Sequence, residues 1–257
     1  MGVVNATPDS FHAASRTAAT DDAVQRGRHL FAEGAGIVDV GGESTRPGAT
    51  PVEEREEIAR VVPVIEALAE LGRVSVDTVK PQVARAAVAA GASLLNDVEG
   101  SLGPLAAELG VGWVAMHSRG IPAQVAPEPV GHGILDEVRR AVLDAALAAR
   151  AMGVDELYVD PGIGFGKGAA DNLALLARLD ELCEASHPEG IGVLVGASRK
   201  RFLGSLPHGG PLDVDERFEG SLAVATFAMA CGADVVRVHD VAATAQAAAL
   251  VADGEAA

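Results

Sequence analysis

The chain has little that would serve a secreted, membrane-bound or nucleic-acid-binding protein. Of its 257 residues, two are cysteines, Cys183 and Cys231, and neither stands in metal-type spacing. A disulfide framework is therefore excluded, and reduced thiols in a cytoplasmic protein are expected. No apolar run approaches the roughly 20 residues needed to cross a bilayer, and no signal peptide precedes the first β-rich run. Cations are scarce, with 20 Lys and Arg against 36 Asp and Glu, for a net charge of −16. That balance argues against a nucleic-acid partner or an anionic membrane. It also makes each local gathering of Arg or Lys informative. The sequence shows no interdomain linker, low-complexity segment, Ser-His-Asp triad or nucleophilic Cys.

What is present is alternation. Eight short β-rich runs can be read, at Gly2–Ala6, Gly36–Gly42, Arg73–Thr78, Ser93–Val98, Gly112–His117, Leu157–Gly162, Gly192–Ser198 and Asp234–Asp240. Amphipathic stretches separate them, for example Ile134, Val138, Val142, Leu143 and Leu147 on one helical face. Runs such as Val193-Leu194-Val195 show little polar alternation, as strands covered on both faces do. Strict β/α alternation implies a parallel sheet, and eight units in 257 residues predict one (β/α)₈ barrel domain over residues 1–257. An open doubly wound sheet is the other arrangement with this order. The first strand starts at Met1, so a true start further upstream is compatible with the count. Thr50, Pro51 and Glu53 predict a capped helix start at Thr50 after the second strand.

Polar residues cluster where the strands should end. They are Asn5, Glu43 to Arg46, Asp77, Asn96 with Asp97, His117, Asp160, Ser198 to Lys200, and Arg237 with His239. The C-terminal face of such a barrel carries the active site. Helix capping explains some of these, Asp97 and Thr78 among them, but not all. Asp77, Asn96, Asp160 and Lys200 supply acceptors, an amide and a flexible donor, a set suited to a flat heterocycle with an amide edge. Arg237, His239, Arg46 and Asn5 suit an anion, and Asn5 can give an oxygen to Mg²⁺. A strand-end ion pair of Arg237 and His239 with Asp240 is the structural alternative. The glycine-dense Asp160–Gly168 segment fits neither a P-loop nor a dinucleotide fingerprint and reads as a mobile loop. Its Phe165 is either a lid aromatic or a loop anchor. Met116 could touch a ligand ring, and Trp113 reads as core.

These motifs resemble the dihydropteroate synthase family nearly end to end. The carriers are Asn5 to Phe11, Asp39 to Gly48, Val76-Asp77-Thr78, Asn96-Asp97-Val98, Met116-His117, Asp160 to Lys167, Gly196 to Lys200, and Arg237 to Asp240. The resemblance implies a transferase of folate biosynthesis. It would condense 6-hydroxymethyl-7,8-dihydropterin diphosphate with 4-aminobenzoate, releasing pyrophosphate, with Mg²⁺ as cofactor and as a sulfonamide target. It implies that Asp77, Asn96, Asp160 and Lys200 hold the pterin, and that Asn5, Arg237 and His239 hold diphosphate and Mg²⁺. Asp9 and Phe11, and the loop with Thr45, Arg46 and Pro47, would complete the aminobenzoate pocket beside Phe165 and Lys200. It further implies a homodimer through barrel helices, with the Ala-rich stretch Ala223–Ala230 permitting close contact. The chain departs from the family after Phe11, where His12-Ala13-Ala14-Ser15-Arg16 replaces a glycine-containing turn, and at Glu99 and Arg201. Three rivals stand: a methyltetrahydrofolate:corrinoid methyltransferase, a non-catalytic or regulatory pterin-binding paralogue, and a Schiff-base aldol or sugar barrel.

Overall fold

A computed structural model describes residues 1–7, 16–44, 49–120, 131–205 and 211–255. Eight parallel strands follow one another around the sheet in chain order. They are β1 Gly2–Asn5, β2 Ile37–Gly41, β3 Arg73–Asp77, β4 Leu94–Asp97, β5 Gly112–Met116, β6 Leu157–Asp160, β7 Gly192–Val195 and β8 Val235–Val236. A bridge from Gly2 to Val238 closes the ring, reinforced by hydrogen bonds from Val3 N to Val238 O and from Val238 N to Met1 O. The (β/α)₈ barrel is thus closed, and the open-sheet alternative is excluded. No helix of the described residues is long and apolar enough to cross a membrane.

Helices α1 Arg16–Ala32, α2 Glu54–Ala69, α3 Pro81–Ala89, α4 Gly103–Leu109, α5 Ile134–Ala151, α6 Ala169–Ala177, α7 Leu179–Ser186, α8 Phe218–Ala230 and α9 Val241–Glu255 surround the strands. α2 begins later than Thr50 suggests. Its N-cap is Glu53, without a side-chain capping bond, and Thr50 and Pro51 precede it. The physical reason is that Lys80 Nζ takes the Val52 carbonyl at 2.6 Å, so the first helical bond runs from Glu57 N to Glu53 O.

The strand period of two sorts the side chains. Val38, Val40, Val74, Val76, Leu95, Trp113, Ala115, Val159, Val193 and Val195 face the helices in the larger core. Ile37, Leu94, Val114 and Leu194 form a second, small cluster in the barrel lumen, with Met1, Tyr158 and Val235 packed on it. That lumenal layer fixes which residues come next on the inner wall: Asp39, Asn96, Met116, Gly196, Asp160 and Arg237 stand two positions further along their strands. Cys183 is buried in α7, where burial pushes its thiol up to about 12. Cys231 is half-buried just beyond α8.

Candidate active site

Strand register lifts the inner-wall residues to one level. Asn5 lies beside Gly41, Gly41 beside Asp77, and Asp77 beside Asn96, while Met116 lies beside Asp160 on the opposite side of the ring. Glycines then let the neighbouring side chains come close. A Cβ placed on Gly196 would stand 3.7 Å from Arg237 Cβ and 3.8 Å from Asp160 Oδ2, and one on Gly41 would stand 3.5 Å from Asp77 Cβ. Arg237, Asp160 and Asp77 therefore border the same hollow at the barrel mouth.

Arg237 is the hub of this hollow. Its Nε donates to Asp39 Oδ2 at 2.6 Å and its Nη2 to Asp77 Oδ2 at 2.7 Å, while Asn96 Nδ2 donates to the same Asp39 oxygen at 2.9 Å. Asp39 is fully buried, so it anchors both neighbours from below. Across the hollow, Asp160 Oδ1 accepts the Gly162 N–H at 2.7 Å. Lys200 Nζ donates to the Ile163 carbonyl and lies 4.3 Å from the centroid of the Phe165 ring.

The charges here are held against their preference. Burial, opposed by Arg237 and aided by Asp39 and Glu57, raises the Asp77 carboxyl to about 7. Burial raises Asp160 as well, with Lys200 and the Gly162 amide pulling the other way. Lys200 is lowered to about 8, first by burial, with Asp160 opposing and Arg237 reinforcing the fall. Arg237 is held above its ordinary value although burial opposes, because Asp39 and Asp77 favour its cation. Desolvated groups gathered at one level of the barrel and poised to change charge are what a polar heterocycle with several N–H groups would complete.

The anion side is arranged differently from its sequence reading. His239 Nδ1 meets Ser198 Oγ at 3.0 Å, its backbone N–H donates to the same oxygen at 3.3 Å, and Arg26 Nη2 donates to its carbonyl at 2.6 Å. Arg237 is engaged by Asp39 and Asp77, so it spans the acceptor group and the anion group rather than belonging to one. Asp240 pairs with Arg199 at 2.8 Å, not with Arg237 or His239. Asn5 is exposed at the end of β1, and among the described residues no three His, Cys, Asp or Glu side chains gather as a metal site. A single neutral oxygen donor is a set that suits an ion arriving with a phosphate, since Mg²⁺ keeps most of its waters and binds through few protein ligands.

Other strand-end residues turn away. His117 follows Met116 and so faces the opposite side of the wall, where Nε2 lies 3.2 Å from Glu137 on α5. Burial, with Lys167 nearby, lowers it to about 4, so it is neutral. Asp97 accepts the Leu102 N–H at 2.6 Å and the Glu99 N–H at 3.1 Å, holding the turn into α4. Thr78 Oγ1 donates to the buried Glu57 at 2.9 Å. Asp9, Phe11, Thr45, Arg46 and Pro47 lie outside the described residues. Met116, 6% exposed, sits on the inner wall level with Asp160.

Two features escaped the sequence reading. Asp39 is one; its place two residues before Gly41 and two after Ile37 on the inner face was the available signal. The second is the order of the segment after β6, which reads as a mobile loop from its glycines. Instead Phe165 N bonds Gly162 O at 3.0 Å, Gly164 N bonds Asn172 Oδ1 at 2.7 Å, and Lys167 Nζ sits inside the turn. At Gly162, with φ +64°, an added Cβ would fall 1.9 Å from the His117 carbonyl oxygen, so only glycine allows β5 and this turn to touch.

A family profile described as "Pterin binding enzyme" matches residues 1–239. The dihydropteroate synthase of Mycobacterium leprae is 46% identical to this chain over 259 residues, spanning 96% of this chain and 90% of that one. Among solved structures, the Xanthomonas albilineans dihydropteroate synthase with 4-aminobenzoic acid superposes with a TM-score of 0.89 at 43% identity, covering 100% of this chain and 93% of that one. The same enzyme in complex with 7,8-dihydropteroate gives a TM-score of 0.85 at 41% identity with the same coverage.

Proposed function

The chain belongs to the pterin-binding enzyme family, among the dihydropteroate synthases, and from that premise we propose that it joins a pterin methylene carbon to 4-aminobenzoate in folate biosynthesis. The observation that carries this reading is the hollow at the barrel mouth, where Asp77, Asp160 and Arg237 converge on side-chain-free Gly41 and Gly196. Asp77, Asn96 and Asp160 take the pterin's ring N–H and amino groups, Lys200 donates to its acceptor edge, and Met116 and Phe165 supply apolar walls. Asp9, Phe11, Thr45, Arg46 and Pro47 complete the arylamine pocket.

In the reaction, the C–O bond between the pterin methylene and diphosphate breaks, a C–N bond to the arylamine forms, and the arylamine nitrogen releases one proton. Carboxylates on the pterin N–H groups favour electron donation toward the methylene carbon as it becomes cationic. Two of the five N–H donors of Arg237 are engaged by Asp39 and Asp77. This guanidinium, pinned at one edge, turns its remaining donors to the departing diphosphate with His239. Preorganised donors of this kind act where charge grows. Mg²⁺, held by Asn5 together with the diphosphate, would add charge neutralisation on the leaving group. A neutral arylamine needs no strong base, so none of the buried carboxylates has to serve as one.

The finer expectations are part of the same proposal: one domain over residues 1–257, a cytoplasmic location, no nucleic-acid or membrane partner, and a homodimer. Support for the dimer is the apolar side chain of Phe227 on α8, 48% exposed, with Leu250 on α9, 76% exposed. The decisive experiment is pyrophosphate release from pterin diphosphate with and without 4-aminobenzoate. Release that depends on the arylamine is expected. Pterin diphosphate binding with no such release would replace the enzyme by a binding paralogue.

A further inference from the structure

Lys167 follows the turn after β6 and sends its side chain back into it, with only 5% of the residue exposed. Its ammonium donates to the carbonyls of His117 and Gly162, both at 2.9 Å, and of Phe165 at 3.3 Å. Three carbonyls thus meet the three donors of an ammonium. None of these partners is a carboxylate. An apolar stem of the same length would fill the space without the cost of desolvating a charge, so packing alone does not account for a lysine here.

The bonds tie the end of β5 to the turn after β6, where the two already pack closely at Gly162. His117 lies at the end of β5, and Gly162 and Phe165 belong to the turn itself. On its other side the turn presents the Ile163 carbonyl and the Phe165 ring to Lys200. Gly162 also donates to Asp160. We infer that Lys167 is a positioning residue, an internal ammonium post that sets Phe165 and Lys200 where the arylamine meets the pterin, without touching either substrate. This rests on the function proposed above. Burial lowers this ammonium to about 7, with Asp160 and Glu137 opposing and Lys200 and Arg119 reinforcing. The neutral His117 ring belongs to the residue whose carbonyl the post holds.

The test compares wild type with Lys167→Met, which keeps the stem and removes the donors. Kinetics are expected to show KM for 4-aminobenzoate raised on the order of tenfold, with kcat and pterin affinity each within about threefold. In the substrate-free protein, amide exchange at residues 162–166 is expected to quicken on the order of tenfold while α1 to α5 stay as protected as in wild type. A lysine that served structure alone would lower the active fraction, and hence kcat, and leave KM unmoved; that outcome overturns the inference. Unchanged exchange at 162–166 overturns it as well. Should Lys167→Met fail to fold, Lys167→Gln, with two N–H donors on a shorter stem, is expected to give an intermediate KM, and a wild-type KM there overturns the inference. Exchange is read without substrates, so it reports on the post even if wild type proves inactive. Wild-type inactivity would instead sink the proposed function.

Discussion

The two ends of the barrel lumen use the same residue types in opposite ways. At the N-terminal end, Arg73 Nη2 bonds Glu156 Oε2 at 2.5 Å, and Tyr158 Oη donates to Glu156 Oε1 at 3.0 Å. There the Glu156 hydrogen bond raises Arg73, and Glu156 stays low because Arg73 and Tyr158 outweigh burial. Each charge is favoured where it sits. At the mouth, Asp77 and Asp160 are raised and Lys200 is lowered, all first by burial. One end carries a satisfied, partly exposed pair. The other holds Asp77, Asp160 and Lys200 against burial even though each has a partner, the condition in which a ligand's donors and acceptors add most.

The sharpest way to break this contrast is Arg237→Ala. It leaves Asp39 and Asp77 buried without their shared cation, a loss expected to cost about 3–5 kcal/mol. Denaturant unfolding at pH 7.5 reads it, and a variant as stable as wild type would mean the mouth is not built around this guanidinium. Activity is expected to fall with it, because the diphosphate loses its fixed donor.

Next in size are Lys200→Ala and Asp160→Asn. Each is expected to weaken pterin binding by about 1.5–3 kcal/mol, the usual worth of a hydrogen bond to a charged group. The thermal midpoint should stay close to wild type, since neither side chain carries the core. Calorimetric titration with a pterin checks this, and wild-type affinity in both variants would remove them from the site.

The contrast also predicts opposite pH behaviour. Asp77 in the folded protein keeps its proton up to about 7, whereas the unfolded carboxyl loses it near 3.8. The native state binds the extra proton in that window, so stability contributed by the mouth falls as pH rises through it, by up to about 1.4 kcal/mol per pH unit for one proton. Lys200 releases its proton near 8, below the unfolded value of 10.5, so its contribution rises with pH above 8. The mouth is therefore least stable between about 7 and 8. Asp77→Asn should flatten the acidic limb in unfolding curves taken from pH 4 to 7; an unchanged slope would assign it to other groups.

The smallest effect belongs to the other end. Glu156→Gln should cost about 0.2–1 kcal/mol, because the pair is 31% and 40% exposed and screened by water. Its stability contribution is present above the unfolded carboxyl's pKa and is lost as pH falls through the lower folded value. Steady-state kinetics of this variant should match wild type, and a change in KM would mean the two ends are coupled.

Much of the fold was legible in the residue order. Runs such as Val193–Val195 and helical repeats such as Ile134, Val138 and Val142 declare their elements locally. The mouth was legible in part, because polar residues that end apolar strands are conspicuous. Asp39 was legible only through its spacing from Ile37 and Gly41, since an acid inside a strand does not by itself show whether it faces lumen or helix. His117 misled for the same reason, one residue too far along β5 to face inward. The turn after β6 misled through its glycines, whose positive φ values serve close contact rather than freedom.

By itself, then, the order of residues determined the eight repeating units, the residue types delivered to their ends, and the family the chain belongs to, because periodicity, turn chemistry and motif spacing are properties of neighbours along the chain. Only the tertiary structure decided which strand-end side chains share the hollow, that Arg237 joins both halves of it, and how far Asp77, Lys200 and Lys167 depart from their ordinary charge states. Those depend on ring closure and on desolvation by residues as distant in sequence as Asp39 and Arg237, and no local pattern carries either.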